Sequence, residues 1–275
     1  MSTFLSQVAD LASRVAAFDH VEPLNEASLL ALRDGIEPRV DIRFETPDGQ
    51  LMALAFTVGD APVEVMVDPR FRRGGFGTRM VEAALSEGET AFWAHGDLPG
   101  TAQIARKTGL VAERTLLILR KEFDGPGESE NVPDGVTLRS FAAGDEDAIV
   151  AVNGRAFANH PEQGAMDRAD FDRRMSSDWF DPGGLFVAER AGRIIGFHWT
   201  KIESDVGEVY VVGIDPEAQG GGLGKALTAR GLRHLHELGV PAVILYVEGD
   251  NEPALAVYRR LGFHEFKKDV LYSKP

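Results

Sequence analysis

Cysteine is missing from this 275-residue chain. That one absence excludes disulfides, thiolate metal sites and a cysteine nucleophile. Histidine is sparse, with seven residues and no cluster, so no metal site is expected. Hydrophobic residues make up 44% of the chain, yet no run of 18 apolar residues occurs, which leaves no candidate for a membrane-spanning helix. Positive charge is short as well: Lys and Arg total 29 against 43 Asp and Glu, a formal net charge of −14. Nucleic acid and anionic membranes attract clustered Lys and Arg, so neither is expected as a partner. An acceptor carrying a cationic amine suits the charge. Residues 1–18 hold Asp10 and Arg14 at helical spacing where a signal peptide would have an apolar block. The expectation is a soluble, cytoplasmic monomer.

What is present is organised around residues 209–226. An apolar strand (Val209, Tyr210, Val211, Val212, Gly213, Ile214) runs into Asp215-Pro216 and then into Gln219-Gly220-Gly221-Gly222-Leu223-Gly224, which opens a helix near Lys225. Glycines leave backbone N–H groups unobstructed, and a helix start adds unpaired donors with partial positive charge; together they hold a phosphate or pyrophosphate. The spacing is Gln-x-x-Gly-x-Gly and not the G-x-G-x-x-G of a dinucleotide fold. It resembles the acyl-CoA loop of the GNAT acetyltransferase superfamily, which implies acetyl-CoA as co-substrate.

The same plan occurs twice. Val65-Met66-Val67-Asp68-Pro69 followed by Arg72-Arg73-Gly74-Gly75-Phe76-Gly77 repeats the later strand, Asp-Pro step and loop, and such self-similarity marks a duplicated unit. Between the copies, 124–135 mixes Gly125, Pro126, Gly127, Pro133 and Gly135 with Glu128 and Glu130, the composition of a linker. The expected organisation is a first GNAT-like domain at 1–123, a linker at 124–135 and a catalytic domain at 136–275. Helical and strand periodicities in each half predict an α/β layered fold, a mixed and mostly antiparallel sheet flanked by helices.

Acetyl transfer from a thioester to an amine requires a neutral amine, a polarised carbonyl and a proton for the departing thiolate. Glu208, at the head of the central strand, can take a proton from the amine directly or through one water, and a backbone N–H near Gly213 can polarise the acetyl oxygen. A glycine within a strand marks a bulge or a close ligand approach. Asn251, Ala254 and Tyr258 share one helix face; in the GNAT superfamily an Asn and a Tyr so placed resemble the pantetheine contact and the proton donor to the thiolate. At an offset of 147, Glu208 falls on Ala61, and Tyr258 falls on Ala105 at an offset of 153. The first copy is therefore expected to bind acyl-CoA without catalysis.

The segments Gly196-Phe197-His198-Trp199-Thr200-Lys201, Phe157-Ala158-Asn159-His160-Pro161-Glu162-Gln163-Gly164, Gly207-Glu208-Val209-Tyr210-Val211-Val212-Gly213 and Leu245-Tyr246-Val247-Glu248 resemble the mycothiol synthase family of tandem GNAT enzymes. That resemblance implies transfer of acetyl to the cysteinyl amine of a thiol pseudo-disaccharide, Cys-glucosamine-inositol. It also implies acceptor contacts at Glu26, Glu162, Lys201, Glu208 and Tyr246. CoA would touch Val212, Gly213 and Ile214; Gln219, Gly220, Gly221, Gly222, Leu223, Gly224 and Lys225; and Asn251, Glu252, Pro253, Ala254, Leu255 and Ala256. A second CoA would lie at Val65, Met66 and Val67 with Arg73, Gly74, Gly75, Phe76, Gly77 and Thr78. Two other readings stay open on the residues alone: a GNAT enzyme for another amine or a protein N-terminus, and a non-catalytic acyl-CoA sensor. With neither Cys nor a nucleophile elbow, direct attack in a ternary complex is expected.

Overall fold

The computed structural model describes residues 3–123, 129–158, 163–203 and 205–275. In chain order the elements are α1 (Thr3–Asp19), α2 (Glu26–Asp34), β1 (Val40–Glu45), β2 (Leu51–Thr57), β3 (Val63–Val67), α3 (Phe76–Ser86), β4 (Ala91–Ala94), α4 (Thr101–Thr108) and β5 (Val111–Glu122). Then follow β6 (Thr137–Ser140), α5 (Glu146–Ala156), α6 (Arg168–Met175), β7 (Leu185–Arg190), β8 (Arg193–Glu203), β9 (Val206–Ile214), α7 (Leu223–Glu237), β10 (Ala242–Glu248), α8 (Glu252–Arg260) and β11 (His264–Ser273). The chain forms two compact units. The first takes residues up to Leu117 with Glu248–Asp250 and Lys267–Pro275, and the second takes Ile118–Val247 with Asn251–Phe266. Of the expected linker, 124–128 lie outside the described residues.

In the first unit, β1, β2 and β3 pair antiparallel, β3 pairs parallel with β4, and the end of β11 returns antiparallel to β4. Helix α1 forms because Val8, Leu11, Ala12 and Val15 repeat at helical spacing; all four are buried, against Leu54, Phe56 and Met66. Helix α2 starts at Asn25, whose side chain caps the N–H of Ser28 at 2.8 Å, and ends at Gly35 in the left-handed region at φ 70°. The opposite sheet face is covered by Met80, Val81 and Ala84 of α3 and Ala105 of α4.

The second unit repeats this plan. Strands β6, β7, β8 and β9 pair antiparallel, and β9 pairs parallel with β10. One sheet face packs Phe197, Trp199 and Val211 on Ile149 and Val152 of α5 and Phe171 of α6. The other packs Phe186, Ala188 and Ile195 on Leu223 and Leu227 of α7. Burial on both faces explains why β7 opens as the unbroken run Leu185-Phe186-Val187-Ala188 and not as an alternation. Each buried Val, Leu, Ile or Phe of these cores contributes about 1.5–3 kcal/mol by leaving water. The mixed α/β architecture expected from the periodicities is the one found. The main extension is β9, which starts at Val206 and not at Val209.

Candidate active site

The glycine loop is built by backbone torsion. Asp215 accepts from the Glu217 N–H at 3.1 Å and from Arg155 Nη2 at 2.7 Å, closing a short 3-10 turn over Pro216–Ala218. The chain then passes through Gly220, Gly221 and Gly222 at φ 85°, 58° and 86°, torsions that side-chain-bearing residues rarely adopt. A Cβ added at any of the three would meet nothing within 4 Å, so the torsion and not crowding is what demands glycine there. Gly222 is the N-cap of α7 and brings no side-chain cap, and the N–H donors of the first helical turn have no intrahelical acceptor. Gln219 and Lys225 are exposed beside the loop, whereas Leu223 is buried and anchors the helix start. Exposed glycines leading into a helix N-terminus that has no side-chain cap fit a pyrophosphate.

Helix α7 is seated on the sheet by His198. Its Nδ1 bonds the Leu227 carbonyl at 2.8 Å, so that nitrogen carries the proton, and burial pushes the imidazole down to about 4. The ring lies where a Cβ on Gly231 would stand, which is why the helix has a glycine in its middle.

The central strand carries the decisive irregularity. Parallel pairing joins Val206, Gly207 and Glu208 of β9 to Ala242, Val243 and Ile244 of β10 and goes no further among the described residues. Past Glu208 the two strands part. On the other side of β9, Trp199 stands opposite Val211 but Thr200 stands opposite Val209, so Tyr210 is an extra, bulged residue. A one-residue slip reverses the facing of everything beyond it. The bulge therefore turns Glu208 onto the face of Trp199 and Lys201 and away from α7; Lys201 stands directly opposite it. Lys201 is buried, 8% exposed, and pairs with Glu203 at 3.1 Å. The expected bulge near Gly213 is thus found three residues earlier. Gly213 is required for a different reason: any Cβ there would run into the Phe197 ring. Val212 and Ile214 are half-buried on the opposite face.

Helix α8 supplies the phenol. Asn251 is its N-cap, accepting from Ala254 N at 3.2 Å, and Glu252 and Pro253 form an exposed first turn. Leu255 is buried in the core, while Ala254 and Ala256 are half-buried. Tyr258 is half-buried with its ring edge-on to Phe263 at 5.8 Å, and burial pushes its hydroxyl up to about 12. Tyr246, in a strand whose neighbours Leu245 and Val247 are buried, is itself 48% exposed. Glu162 lies outside the described residues.

In the first unit Glu26 opens α2, directly after the Asn25 cap. The loop repeats the later one closely. Asp68 accepts from Arg70 N at 3.0 Å and pairs with Arg14 and Arg70, which hold its carboxyl well below the usual range. Gly75 takes φ 80° as the N-cap of α3, against 86° for Gly222. Arg73 occupies the place of Gly220 and sits at φ 66° although it bears a side chain. Gly74, Gly75 and Arg73 are exposed, Phe76, Gly77 and Thr78 half-buried, and Met66 is buried between half-buried Val65 and Val67. The plain offset puts Glu208 on Ala61, but with Tyr210 extra in β9 its counterpart is Pro62, just before β3; Ala105 is buried in α4, and none of these positions carries a titratable group.

Sequence reasoning missed a buried network in this unit. Glu64 of β3 is 1% exposed and accepts from Asn25 N at 2.6 Å, Ser28 Oγ at 2.5 Å and His95 Nε2 at 2.7 Å. His95 Nδ1 reaches Asp269 at 2.9 Å, and Asp269 also accepts from Gly96 N at 2.7 Å. Burial alone would lower the imidazole, but bonding to two carboxylates wins and raises it to about 9. The partners lie up to 174 residues apart, and no local pattern announces them. The only available signal was a Glu inside an apolar strand.

A repeated strand, Asp-Pro turn and glycine cradle, opening where two parallel strands part, define the GNAT acetyltransferase class. The Acetyltransferase (GNAT) family profile matches residues 155–263. Over the whole length, the chain is 47% identical to the mycothiol acetyltransferase of Thermomonospora curvata, covering 98% of this chain and 94% of that one. It is 43% identical to the mycothiol acetyltransferase of Kytococcus sedentarius, covering 98% and 93%. The chain belongs to the mycothiol acetyltransferase family and is an acetyl-CoA-dependent acetyltransferase. Solved structures share its fold: a GCN5-related N-acetyltransferase from Sphaerobacter thermophilus (23% identical, TM-score 0.72, covering 97% and 90%) and a tandem GNAT protein from the clavulanic acid biosynthesis pathway (20% identical, TM-score 0.68, covering 98% and 93%).

Proposed function

We propose that the second unit transfers acetyl from acetyl-CoA to the cysteinyl α-amine of Cys-glucosamine-inositol, the last step of mycothiol biosynthesis, by direct attack in a ternary complex. The observation that carries this reading is the position of Glu208, at the last paired residue before β9 and β10 part and opposite Lys201. The family name of the relatives supports the acceptor.

Glu208 takes the proton of the ammonium. The neutral nitrogen then attacks the thioester carbon and the C–N bond forms; as the tetrahedral adduct collapses the nitrogen gives its second proton to solvent, the C–S bond breaks and CoA leaves as a thiolate. An α-amino group titrates near 8, so the proton is given up at little cost. The phenol of Tyr258, held at about 12, is fully protonated at neutral pH. Handing its proton outright to an alkyl thiolate is uphill, so its main contribution is a hydrogen bond that strengthens as charge grows on sulfur; solvent completes the transfer. Val212–Ile214, Gln219–Lys225 and Asn251–Ala256 hold the CoA, and Glu162, Lys201 and Tyr246 contact the acceptor. The first copy, 1–123, binds acyl-CoA through Val65–Val67 and Arg73–Thr78 without catalysing, and 136–275 is the catalytic copy.

The test measures acetylated product by chromatography with mass detection, offering the cysteinyl pseudo-disaccharide, a polyamine and a tetrapeptide. Turnover is expected with the first alone. Preference for the polyamine or peptide contradicts the acceptor assignment, and ping-pong kinetics contradict direct attack. A Glu26→Ala variant tests the remaining acceptor residue implied by the family resemblance, through the acceptor KM.

A further inference from the structure

Against Lys201 stand two aromatic side chains, Trp179 and Tyr210, that acetyl transfer itself does not require. The ammonium lies 5.2 Å from the centre of the Trp179 ring and 5.8 Å from that of Tyr210. The two rings meet edge to face at 5.0 Å. Arg174 Nε donates to the Tyr210 hydroxyl at 2.8 Å, which fixes the phenol in one orientation. Behind them Trp199 touches both rings, at 5.6 Å from Trp179 and 5.5 Å from Tyr210, and seats the group on the core.

This is an unusual setting for a lysine. Lysines are almost never fully buried unless paired; Lys201 has Glu203 as its partner at 3.1 Å, and immobilising the side chain costs up to about 2 kcal/mol of rotamer freedom. Aromatic faces return part of that cost through cation–π attraction. The bulge that turns Glu208 toward Lys201 is Tyr210 itself, so the residue that sets the catalytic carboxylate also brings an aromatic ring to the same face. A fixed ammonium offers donors to hydroxyl oxygens. Half-buried indole and phenol rings beside it offer a flat apolar surface and a polar rim, suited to a ring that has apolar C–H faces and hydroxyl edges.

We propose that Trp179 and Tyr210, with Arg174 holding Tyr210 in place, form the wall that selects the cyclic polyol part of the acceptor, and that Lys201 is its hydrogen-bond donor. The inference rests on the acceptor reading above and names which residues enforce it. Trp179 and Tyr210 are specificity residues, and Arg174 is a positioning residue.

The test compares two acceptors on the full chain: the cysteinyl pseudo-disaccharide and L-cysteine methyl ester, which has the same amine and thiol but no ring. Wild type is measured first. If it shows no preference for the ring-bearing acceptor, the acceptor reading fails and this inference with it. Given that preference, Trp179→Leu is expected to raise KM for the pseudo-disaccharide at least tenfold. It should leave the methyl ester and the acetyl-CoA KM within twofold. Trp179→Phe keeps an aromatic face and most of the packing volume, and is expected to restore most of the preference. Arg174→Met, which frees Tyr210 without touching the core, is expected to raise the same KM about threefold. An equal loss on both acceptors, or no loss in either the Leu or the Met variant, overturns the proposal while leaving the acceptor reading intact.

Discussion

The two central strands, β3 and β9, run into Asp-Pro turns and glycine loops of closely matching backbone torsion, with Asp68 at φ −50°, ψ 128° and Asp215 at φ −50°, ψ 127°, yet differ by one residue. β9 has Tyr210 inserted as a bulge, and β3 has no counterpart. Counting back from the loops, Val67 matches Ile214, Met66 matches Gly213 and Glu64 matches Val211. Before the bulge Val63 matches Val209. The carboxylate of β3 thus sits where β9 has a core valine, walled in by Ser28, Asn25 and His95. The carboxylate of β9 sits three residues earlier, where its strand leaves its parallel partner. Duplicated backbones can keep the cofactor cradle and still diverge in chemistry through a single insertion, because strand facing has a period of two.

The comparison breaks most visibly at Glu208. Glu208→Gln is expected to lower kcat with the pseudo-disaccharide by about 10²–10⁴, the range for losing a general base. The deficit should shrink as pH rises past about 8, where the amine is neutral unaided. A loss that does not change with pH removes Glu208 as base. Tyr258→Phe comes next, at about 10-fold to 100-fold in kcat with the acetyl-CoA KM little changed. Wild type should show no alkaline limb from this phenol below pH 11, since its hydroxyl titrates at about 12. An ionisation assigned to it near 10 contradicts the burial argument.

His95 sharpens the comparison from the first unit. Its folded value of about 9 lies above the ordinary 6.5. The stabilisation is therefore complete below about pH 6.5 and is lost as pH rises through 9. A rise of that size corresponds to about 3 kcal/mol. His95→Gln should lower unfolding free energy by up to that amount at pH 6 and by much less at pH 9.5, read by denaturant titration. A pH-independent deficit means the imidazole is neutral in the fold. The smallest effect is expected at Gly213. Gly213→Ala forces a methyl into Phe197 and should cost about 1–3 kcal/mol, with Phe197→Leu relieving it. The first unit has solved the same packing with Leu54 opposite Met66, trading ring for chain.

Much of this was readable in advance. The repeat, the glycine torsions, the strand and helix order and the helical spacing of Asn251 and Tyr258 are local patterns. What stayed hidden depends on pairing between distant strands. Nothing in Glu208-Val209-Tyr210-Val211 marks Tyr210 as extra; only the facing residues of β8 do. The glycine at 213 suggested a bulge or ligand, but its reason is a phenylalanine on the neighbouring strand. Glu64, His95 and Asp269 meet only because the end of β11 returns to the first unit. Trp179 belongs to no periodic element, and its ring becomes meaningful once Lys201 is known to be buried.

The most direct measurement is kcat, per folded protein, of Glu208→Gln beside Glu64→Gln with saturating acetyl-CoA and pseudo-disaccharide. The expected result is a fall of at least a hundredfold for Glu208→Gln and a change of less than threefold for Glu64→Gln. The reverse pattern, or equal losses, would contradict the assignment of chemistry to the second strand alone.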